Sequence, residues 1–210
     1  MIISFDLDGT LVCSEFSHKV WHEGMPRIYA KRYGIEISRA QSYVEQEYQK
    51  VGEGRVEWYD IKYWCRRFGL NGEWKKLLSQ YEPMVEFYPD VYEIIPRLKQ
   101  KFNLILASNA TREFIEIELK QDKLRNYFSF IFSAPSDFGI VKKEGSFYTQ
   151  ILRRLKLHPE ELIHIGDHLE FDFHVPRNLG IRCYFLDRTG AKEGEFVLHS
   201  LEELEGKLDG

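Results

Sequence analysis

The stretch MIISFDLDGT at residues 1–10 opens the chain with a strand signal that ends on two acids. Its first five residues form an apolar run, which is typical of a buried strand. Asp6 and Asp8 follow this run, and Gly9 then predicts a turn. Because alternate residues of a strand point the same way, both carboxylates can face one crevice beyond the strand end. Such a pair needs a cation, a shared proton or strongly different surroundings.

Two interpretations of this acidic pair follow from the residues alone. The functional interpretation is a site for a hard metal ion or an acid/base pair. The structural interpretation is that Asp6 and Asp8 only terminate a strand and shape a turn, since Asp is frequent beside Gly in turns. The rest of the sequence decides between them.

The composition is that of an ordinary folded protein. The chain has 210 residues, of which 43% are hydrophobic and 30% charged, and its net charge is −4. This balance gives no electrostatic footprint for nucleic acid or an anionic membrane. No apolar stretch approaches the roughly 20 residues of a membrane span. Cys13, Cys65 and Cys183 are scattered without metal-ligand spacing, so we expect a reducing compartment and a cytoplasmic protein.

Short apolar runs alternate with amphipathic stretches in the C-terminal part of the chain. This alternation predicts an α/β fold, a three-layer α/β/α Rossmann-like core whose parallel sheet has at least five strands. An amphipathic stretch at residues 112–124 and another at 147–155 are the predicted covering helices. With the opening run, the predicted strands are residues 103–107, 130–132, 162–165 and 182–186.

Residues 15–86 differ from the rest because they carry no strand signal. We expect an all-helical cap inserted into a core formed by residues 1–14 and 87–210. Ser38 with Gln41 fits a capping box for the second helix. The aromatic residues of this segment are expected to form its core, although a ligand-stacking role is the alternative. The predicted helices are residues 25–33, 39–50, 56–68 and 73–81.

Polar side chains follow the predicted strands of the core at the point where each strand ends. In open parallel sheets, ligands bind beyond the carboxyl ends of the strands. We therefore expect these side chains to converge with the acidic pair of the first strand, with a lysine from the start of a nearby helix. The residues concerned are Ser108, Asn109, Lys142, Asp167 and Asp172.

The residue types in this set suit phosphoryl transfer. Carboxylates at Asp6 and Asp167 supply the oxygen ligands that Mg²⁺ prefers. The Ser108 hydroxyl, the Asn109 backbone N–H and the Lys142 ammonium would surround an anion and neutralise developing charge. An Asp carboxylate is also an established class of nucleophile for phosphoryl groups.

Four motifs in this order resemble those of the haloacid dehalogenase-like superfamily, and the resemblance covers essentially the whole chain. The helical insert after the first motif is similar to that family's helical cap of the first type. The resemblance implies a Mg²⁺-dependent phosphatase that acts on a small phosphorylated metabolite. The motifs are Asp6-Leu7-Asp8-Gly9-Thr10, Ser108-Asn109, Lys142 before a helix, and Gly166-Asp167 with Asp172.

The resemblance also implies a role for each motif residue. Asp6 would attack phosphorus and form an aspartyl phosphate, while Asp8 would protonate the leaving oxygen and later activate water. Ser108, Asn109 and Lys142 would hold the phosphate. The implied Mg²⁺ ligands are Asp6, the Asp8 backbone carbonyl, Asp167, and Asp172 directly or through water.

Several alternatives remain open from the sequence. One is a phosphomutase, and another is a phosphonate-cleaving enzyme with a cap lysine such as Lys19 or Lys31. A haloacid dehalogenase is less favoured, because halide departure does not require the acid at Asp8. A non-catalytic binding protein is less favoured because it need not keep the motifs together. Lys143 is the alternative to Lys142, which its spacing to the next helix favours.

The beginning of the insert supplies the candidates for substrate specificity. His18, Trp21 and His22 are expected to face the substrate. The histidines near the last motif have no fitting ligand partners in the sequence; they are His164, His168 and His174. They are expected to be core or surface histidines.

Overall fold

The computed structural model describes residues 1–120, 123–142 and 144–208. Within these ranges six strands form one sheet in the order β3-β2-β1-β4-β5-β6, and every pairing is parallel. The predicted strands are confirmed, and β6 is a two-residue strand that no sequence pattern announced. The strands are β1 (Ile2–Phe5), β2 (Asn103–Ser108), β3 (Phe128–Ser133), β4 (Leu162–Gly166), β5 (Arg182–Leu186) and β6 (Val197–Leu198).

The helices divide into a group within residues 15–81 and a group that accompanies the sheet. Among the helices of the described ranges, none is both long and apolar enough to cross a bilayer. The first group is α1 (Glu15–Lys19), α2 (Met25–Tyr33), α3 (Ile37–Val51), α4 (Val56–Tyr59), α5 (Ile61–Arg67) and α6 (Glu73–Tyr81). The second group is α7 (Pro89–Lys101), α8 (Arg112–Glu118), α9 (Ser146–Leu155), α10 (Val175–Arg177) and α11 (Glu203–Leu208).

The sheet is covered on both faces, as the continuous apolar runs of its strands predict. Leu104 and Leu106 of β2 belong to a core cluster that includes the apolar side of α7. Ile105 and Ala107, which point to the opposite face, belong to a second cluster that includes the apolar side of α9. The predicted three-layer α/β/α core is therefore confirmed.

Local hydrogen bonding explains where the helices differ from the sequence prediction. The side chain of Asp60 accepts a hydrogen bond from the backbone N–H of Lys62 at 2.8 Å, so a new helix begins and the predicted helix 56–68 is divided into α4 and α5. The capping box at Ser38 was wrong, because α3 begins at Ile37 and Glu36 is its N-cap residue. The predicted helix 112–124 is also too long, since α8 ends at Glu118.

A third core cluster lies almost entirely within the helical segment. Its fully buried members come from residues 16–81, with Phe114 of α8 as the exception. The stretch of chain that leads into this segment lies beside the stretch that leads out of it. The Cys13 N–H bonds to the Glu86 carbonyl at 2.8 Å, and the Tyr88 N–H bonds to the Leu11 carbonyl at 3.0 Å. We propose on these contacts that residues 15–86 are a cap domain on a core of residues 1–14 and 87–210.

Candidate active site

The centre of the sheet supplies the carboxylates of the candidate site. Strand β1 lies between β2 and β4, where the strand order reverses, and ligands bind at such switch points in α/β sheets. Asp6 directly follows β1, Ser108 ends β2, and Asp167 directly follows β4. All three line one cavity of about 310 Å³, together with Asp8, Asn109, Lys142 and Asp172.

Lys142 joins two of these carboxylates. Its ammonium lies 2.6 Å from Asp6 Oδ1 and also forms an ion pair with Asp172 Oδ1. Burial alone would lower the pKa of Lys142, but Asp172 and Asp6 outweigh that effect and raise it, so the ammonium is retained. The Asn109 side chain accepts a hydrogen bond from the Lys142 backbone N–H at 2.8 Å, which fixes the loop that carries the lysine. Lys143 lies outside the described residues.

Asp172 is held on every side by donors. Its Oδ1 accepts from His164 Nε2 at 3.1 Å, and its Oδ2 accepts from the His168 backbone N–H at 3.0 Å. The other ring nitrogen of His164 accepts from Ser4 Oγ at 3.0 Å, and burial lowers the pKa of this histidine. Burial opposes the charge of Asp172, but Lys142 and His164 outweigh it and lower the pKa of Asp172. His164 is thus a core histidine that orients a site carboxylate.

Asp167 is oriented by the loop of the first motif. Thr10 donates a hydrogen bond from its hydroxyl to Asp167 Oδ1 at 3.2 Å. A Cβ atom at Gly9 would lie 2.2 Å from Asp167 Oδ2, and the φ of Gly9 is +74°, so only glycine fits. Partial desolvation raises the pKa of Asp167, which remains an exposed residue, and the Asp172 carboxylate adds to the increase.

The donor set fits a hard divalent cation. Asp6, Asp167 and Asp172 each offer a carboxylate oxygen, and these atoms lie within 4.8 Å of one another. Burial raises the pKa of Asp6 well above its usual value; Lys142 lowers it, while Asp172 and Asp167 raise it further. One ammonium does not neutralise three carboxylates, and oxygen ligands of this kind are those that Mg²⁺ prefers.

Asp8 meets a second buried acid that the sequence did not single out. Burial raises the pKa of Asp8, while hydrogen bonds with Ser17 and Glu118 partly oppose the increase. Glu118 of α8 is fully buried, and burial, the Asp8 charge and the hydrogen bond with Asp8 raise the pKa of Glu118 well above its usual value. The signal for Glu118 was its position, because Phe114, Ile115 and Leu119 on the same helix face are buried.

The Ser108 side chain takes no part in capping the helix that follows it. The Ser108 hydroxyl oxygen accepts from the backbone N–H of Ala110 at 2.9 Å, which leaves its proton for a further acceptor. Helix α8 has Thr111 as its N-cap residue. Ser108 is therefore not the cap of that helix, and its hydroxyl lines the cavity.

Two of the three specificity candidates reach the cavity. Trp21 and His22 line it, whereas His18 does not and packs against His22 in a tilted arrangement with ring centroids 4.5 Å apart. His22 Nδ1 pairs with the Glu45 carboxylate. The structure adds lining residues from the cap and the core that the sequence did not predict for the site, among them His168, which was expected to be a core or surface histidine. These are Ser17, Tyr48, Glu53, Trp58, Tyr59, Ala110, Thr111, Phe114, His168 and Phe171.

Replacement of Lys142 tests the buried ion pairs. Lys142→Met leaves the Asp6 and Asp172 carboxylates together without their cation, so we expect the free energy of unfolding to fall by about 3 kcal/mol. Urea denaturation in EDTA measures this change while no metal ion replaces the ammonium. Lys101→Met, at an exposed position of α7, is the matched control and should change stability by less than about 0.5 kcal/mol. Equal values for both variants would contradict the buried pairing.

A comparison of the whole chain with protein families agrees with this geometry. The model of the haloacid dehalogenase-like hydrolase family matches residues 1–191. The chain belongs to this family, as its motifs predict, and it is a hydrolase.

Relatives and solved structures extend the similarity over nearly all of the chain. The GMP/IMP nucleotidase YrfG of Escherichia coli K12 is 24% identical over 193 residues, which are 91% of this chain and 84% of the relative. The pyrophosphatase PpaX of Bacillus thuringiensis Al Hakam is 28% identical over 216 residues, 96% of this chain and 93% of the relative.

Two solved structures show the same fold. A HAD phosphatase from Thermococcus onnurineus superposes with a TM-score of 0.86 at 22% identity, covering 100% of this chain and 98% of that one. A 2-haloacid dehalogenase from Pseudomonas syringae pv. Tomato DC3000 superposes with a TM-score of 0.68 at 20% identity, covering 99% and 97%. A protein described as a phosphatase and one described as a dehalogenase share this fold, so the reaction of this chain has to be inferred from its site residues.

Proposed function

We propose that this hydrolase is a Mg²⁺-dependent phosphatase that acts on a small phosphorylated metabolite through an aspartyl-phosphate intermediate. The observation that carries this proposal is the placement of Asp6 and Asp8 in one cavity, with Lys142 2.6 Å from the first carboxylate. A nucleophile, an acid and a cation then surround the position that a phosphoryl group would take.

In the first step Asp6 is the nucleophile. A carboxylate oxygen of Asp6 forms a bond to phosphorus as the bond from phosphorus to the leaving oxygen breaks. Asp8 donates its proton to that leaving oxygen, so the alcohol departs neutral. Burial raises the pKa of Asp8, which favours the protonated form that this step requires.

In the second step Asp8 acts as a base. It takes a proton from water as the water oxygen bonds to phosphorus. The bond from phosphorus to the Asp6 oxygen breaks, which releases inorganic phosphate and restores the carboxylate. Atoms and charge balance over the two steps, because the proton that Asp8 gives to the alcohol is replaced from water.

The phosphoryl oxygens are bound by a separate group of donors. The Ser108 hydroxyl, the Asn109 backbone N–H and the Lys142 ammonium are the proposed phosphate contacts. Mg²⁺, held by Asp6, the Asp8 backbone carbonyl, Asp167 and Asp172, would supply positive charge against the phosphoryl oxygens. Asp172 already accepts from Lys142, His164 and the His168 N–H, and from the Tyr148 hydroxyl at 3.5 Å, which favours its acting on the ion through water.

The names of the relatives and the positions of two cap lysines help to choose among the alternative activities. The names of YrfG and PpaX both denote cleavage at phosphate, which supports phosphatase chemistry over dehalogenation. Lys19 pairs with Glu15 at 3.1 Å, and neither it nor Lys31 lines the cavity, so a phosphonate-cleaving Schiff base is disfavoured. A phosphomutase stays the second candidate, because it uses the same first step.

The proposed compartment is the cytoplasm. Cys13, Cys65 and Cys183 are free thiols, and two of them are buried. Free cysteines are the usual state in a reducing compartment.

Metal removal tests the proposed function. Phosphate release is measured from phosphorylated metabolites and p-nitrophenyl phosphate, first with Mg²⁺ and then with EDTA. We expect release with Mg²⁺ and a fall of at least about 100-fold in EDTA, because the carboxylates then lack their cation. Equal rates in both conditions would contradict a metal-dependent phosphatase. Transfer of phosphate to a second sugar, without free phosphate, would assign the mutase instead.

A further inference from the structure

Aromatic rings form a large part of the cavity wall. Six rings from the cap and the core line it: Trp21, Tyr48, Trp58, Tyr59, Phe114 and Phe171. Such rings offer flat apolar surfaces on which a planar group can stack. A leaving group that is planar and uncharged would find complementary surface here.

Contacts among these rings, and with Trp64 behind them, hold them in place. Trp21 stacks on Phe114 with centroids 5.3 Å apart and an interplanar angle of 18°, and it meets the edge of Tyr48 at 5.9 Å. The Tyr48 hydroxyl donates to the Trp21 carbonyl at 3.3 Å. The Trp58 carbonyl accepts from the indole N–H of buried Trp64 at 3.2 Å. A surface fixed in this way binds with less loss of side-chain entropy than a mobile one.

The charges that line the cavity are unfavourable for a second anionic group. Besides the four aspartates, the Glu53 carboxylate lines it. Among the described lining residues the lysines and arginines are represented by Lys142 alone, and its ammonium already pairs with Asp6 and Asp172. A transferring phosphoryl group would be bound by this lysine and by the proposed Mg²⁺. A further phosphate or carboxylate on the leaving group would then face acids without a cation.

The two histidines of the lining do not change this balance. His22 pairs with Glu45, so any positive charge on its ring is neutralised there. His168 accepts from the Phe171 backbone N–H through Nδ1 at 3.2 Å, which corresponds to an uncharged tautomer. Its ring stacks on Phe171 with centroids 3.8 Å apart. His168 therefore extends the aromatic wall.

We propose that the leaving group of the substrate is uncharged and carries a planar ring, as in a nucleoside or an aryl alcohol. This inference rests on the proposed phosphatase function. It ranks a nucleoside monophosphate above ring-less sugar phosphates, and both above substrates whose leaving group is a phosphate or carries a carboxylate. Of the two activities named for the relatives, the cavity fits the nucleotidase kind and disfavours the pyrophosphatase kind.

Matched substrates test the ranking. Inosine 5′-monophosphate and ribose 5-phosphate share the phosphoester carbon and differ in the base, and benzyl and propyl phosphate form a second pair without ribose. We expect kcat/KM to be at least about tenfold higher for the ring-bearing member of each pair. Pyrophosphate and phosphoglycolate should be the poorest substrates. A ring preference in the first pair alone would identify the nucleoside as the preferred leaving group, and a preference in the second pair alone would identify the aryl alcohol.

The possible outcomes distinguish failure of the leaving-group inference from failure of the proposed phosphatase function. Release from every compound without a ring preference, or best release from pyrophosphate or phosphoglycolate, would overturn the leaving-group inference and leave the phosphatase standing. No release from any compound by folded protein with Mg²⁺ would overturn both.

A pair of tryptophan variants assigns the preference to the cavity wall. Trp58 lines the cavity, whereas Trp74 of α6 is also half-buried in the cap but does not. In Trp58→Leu we expect the kcat/KM ratio of inosine monophosphate to ribose 5-phosphate to fall by at least about fivefold. Trp74→Leu should leave the ratio unaltered. Equal losses for both substrates in Trp58→Leu would indicate a structural role and contradict the stacking surface.

Discussion

Asp6→Asn is expected to lower phosphate release by at least about 10⁴-fold with every substrate. An amide oxygen does not displace a leaving group from phosphorus, and the other carboxylate that pairs with Lys142, that of Asp172, is already held by His164 and by the His168 N–H. Steady-state release of phosphate under saturating Mg²⁺ measures this loss. A rapid quench after one turnover should show no phosphoryl group bound to the variant protein.

The fold should survive this replacement, which keeps the result interpretable. Burial raises the pKa of Asp6, so its charge is costly in the folded state, and Lys142 keeps Asp172 as a partner in the variant. We expect the urea midpoint to stay close to that of the parent. Glu160→Gln, the same acid-to-amide change at an exposed position, is the control for activity. Turnover within tenfold of the parent would place the nucleophile elsewhere.

The sequence predicted the core of the fold because its strands are buried on both faces. Runs such as residues 104–107 are continuous and apolar, and they are separated by helices, which indicates a parallel sheet. Two-residue β6 carries too little pattern to detect. The division of the predicted helix 56–68 was missed because it depends on one side-chain contact, that of Asp60, which outweighs the helical pattern around it.

The candidate site was predictable to the extent that it follows from topology. The carboxyl ends of β1, β2 and β4 meet at one edge of the sheet, so residues directly after these strands had to come together. Asp172 was predicted, but its contacts with buried His164 and with Lys142 were not. Glu118 was missed because the pattern of its helix only suggested amphipathicity, although its carboxyl group lies beside Asp8.

The aromatic wall shows the limit of sequence patterns most clearly. Trp58 and Trp64 lie on successive short helices of the same segment, yet the first lines the cavity and the second is fully buried in the cap core. Core packing and ligand contact require the same residue types. Only the path of the chain around Asp60 distinguishes them, and that path was not evident from composition or spacing.

Asp8→Asn is expected to lose activity in a manner that depends on the leaving group. With an alkyl ester such as ribose 5-phosphate the departing alkoxide needs a proton, so kcat should fall by about 10³-fold. With p-nitrophenyl phosphate the phenolate leaves without one, so the first step should remain fast. Water activation in the second step is lost with both substrates. Stopped-flow absorbance should then show a burst of about one p-nitrophenolate per enzyme, followed by slow turnover.

This dependence on the leaving group would distinguish a catalytic acid at Asp8 from a residue that only shapes the loop. If Asp8 merely supported the turn at Gly9, its replacement would lower the rate with both esters by similar factors and would show no burst. The matched control is Glu170→Gln, which replaces an exposed acid in the same helical turn as Asp172. This variant should behave as the parent. A halide leaves carbon without a proton, so a dehalogenase would gain nothing from an acid at this position. A loss that grows with the basicity of the leaving oxygen would thus identify the catalytic acid and the phosphate ester together.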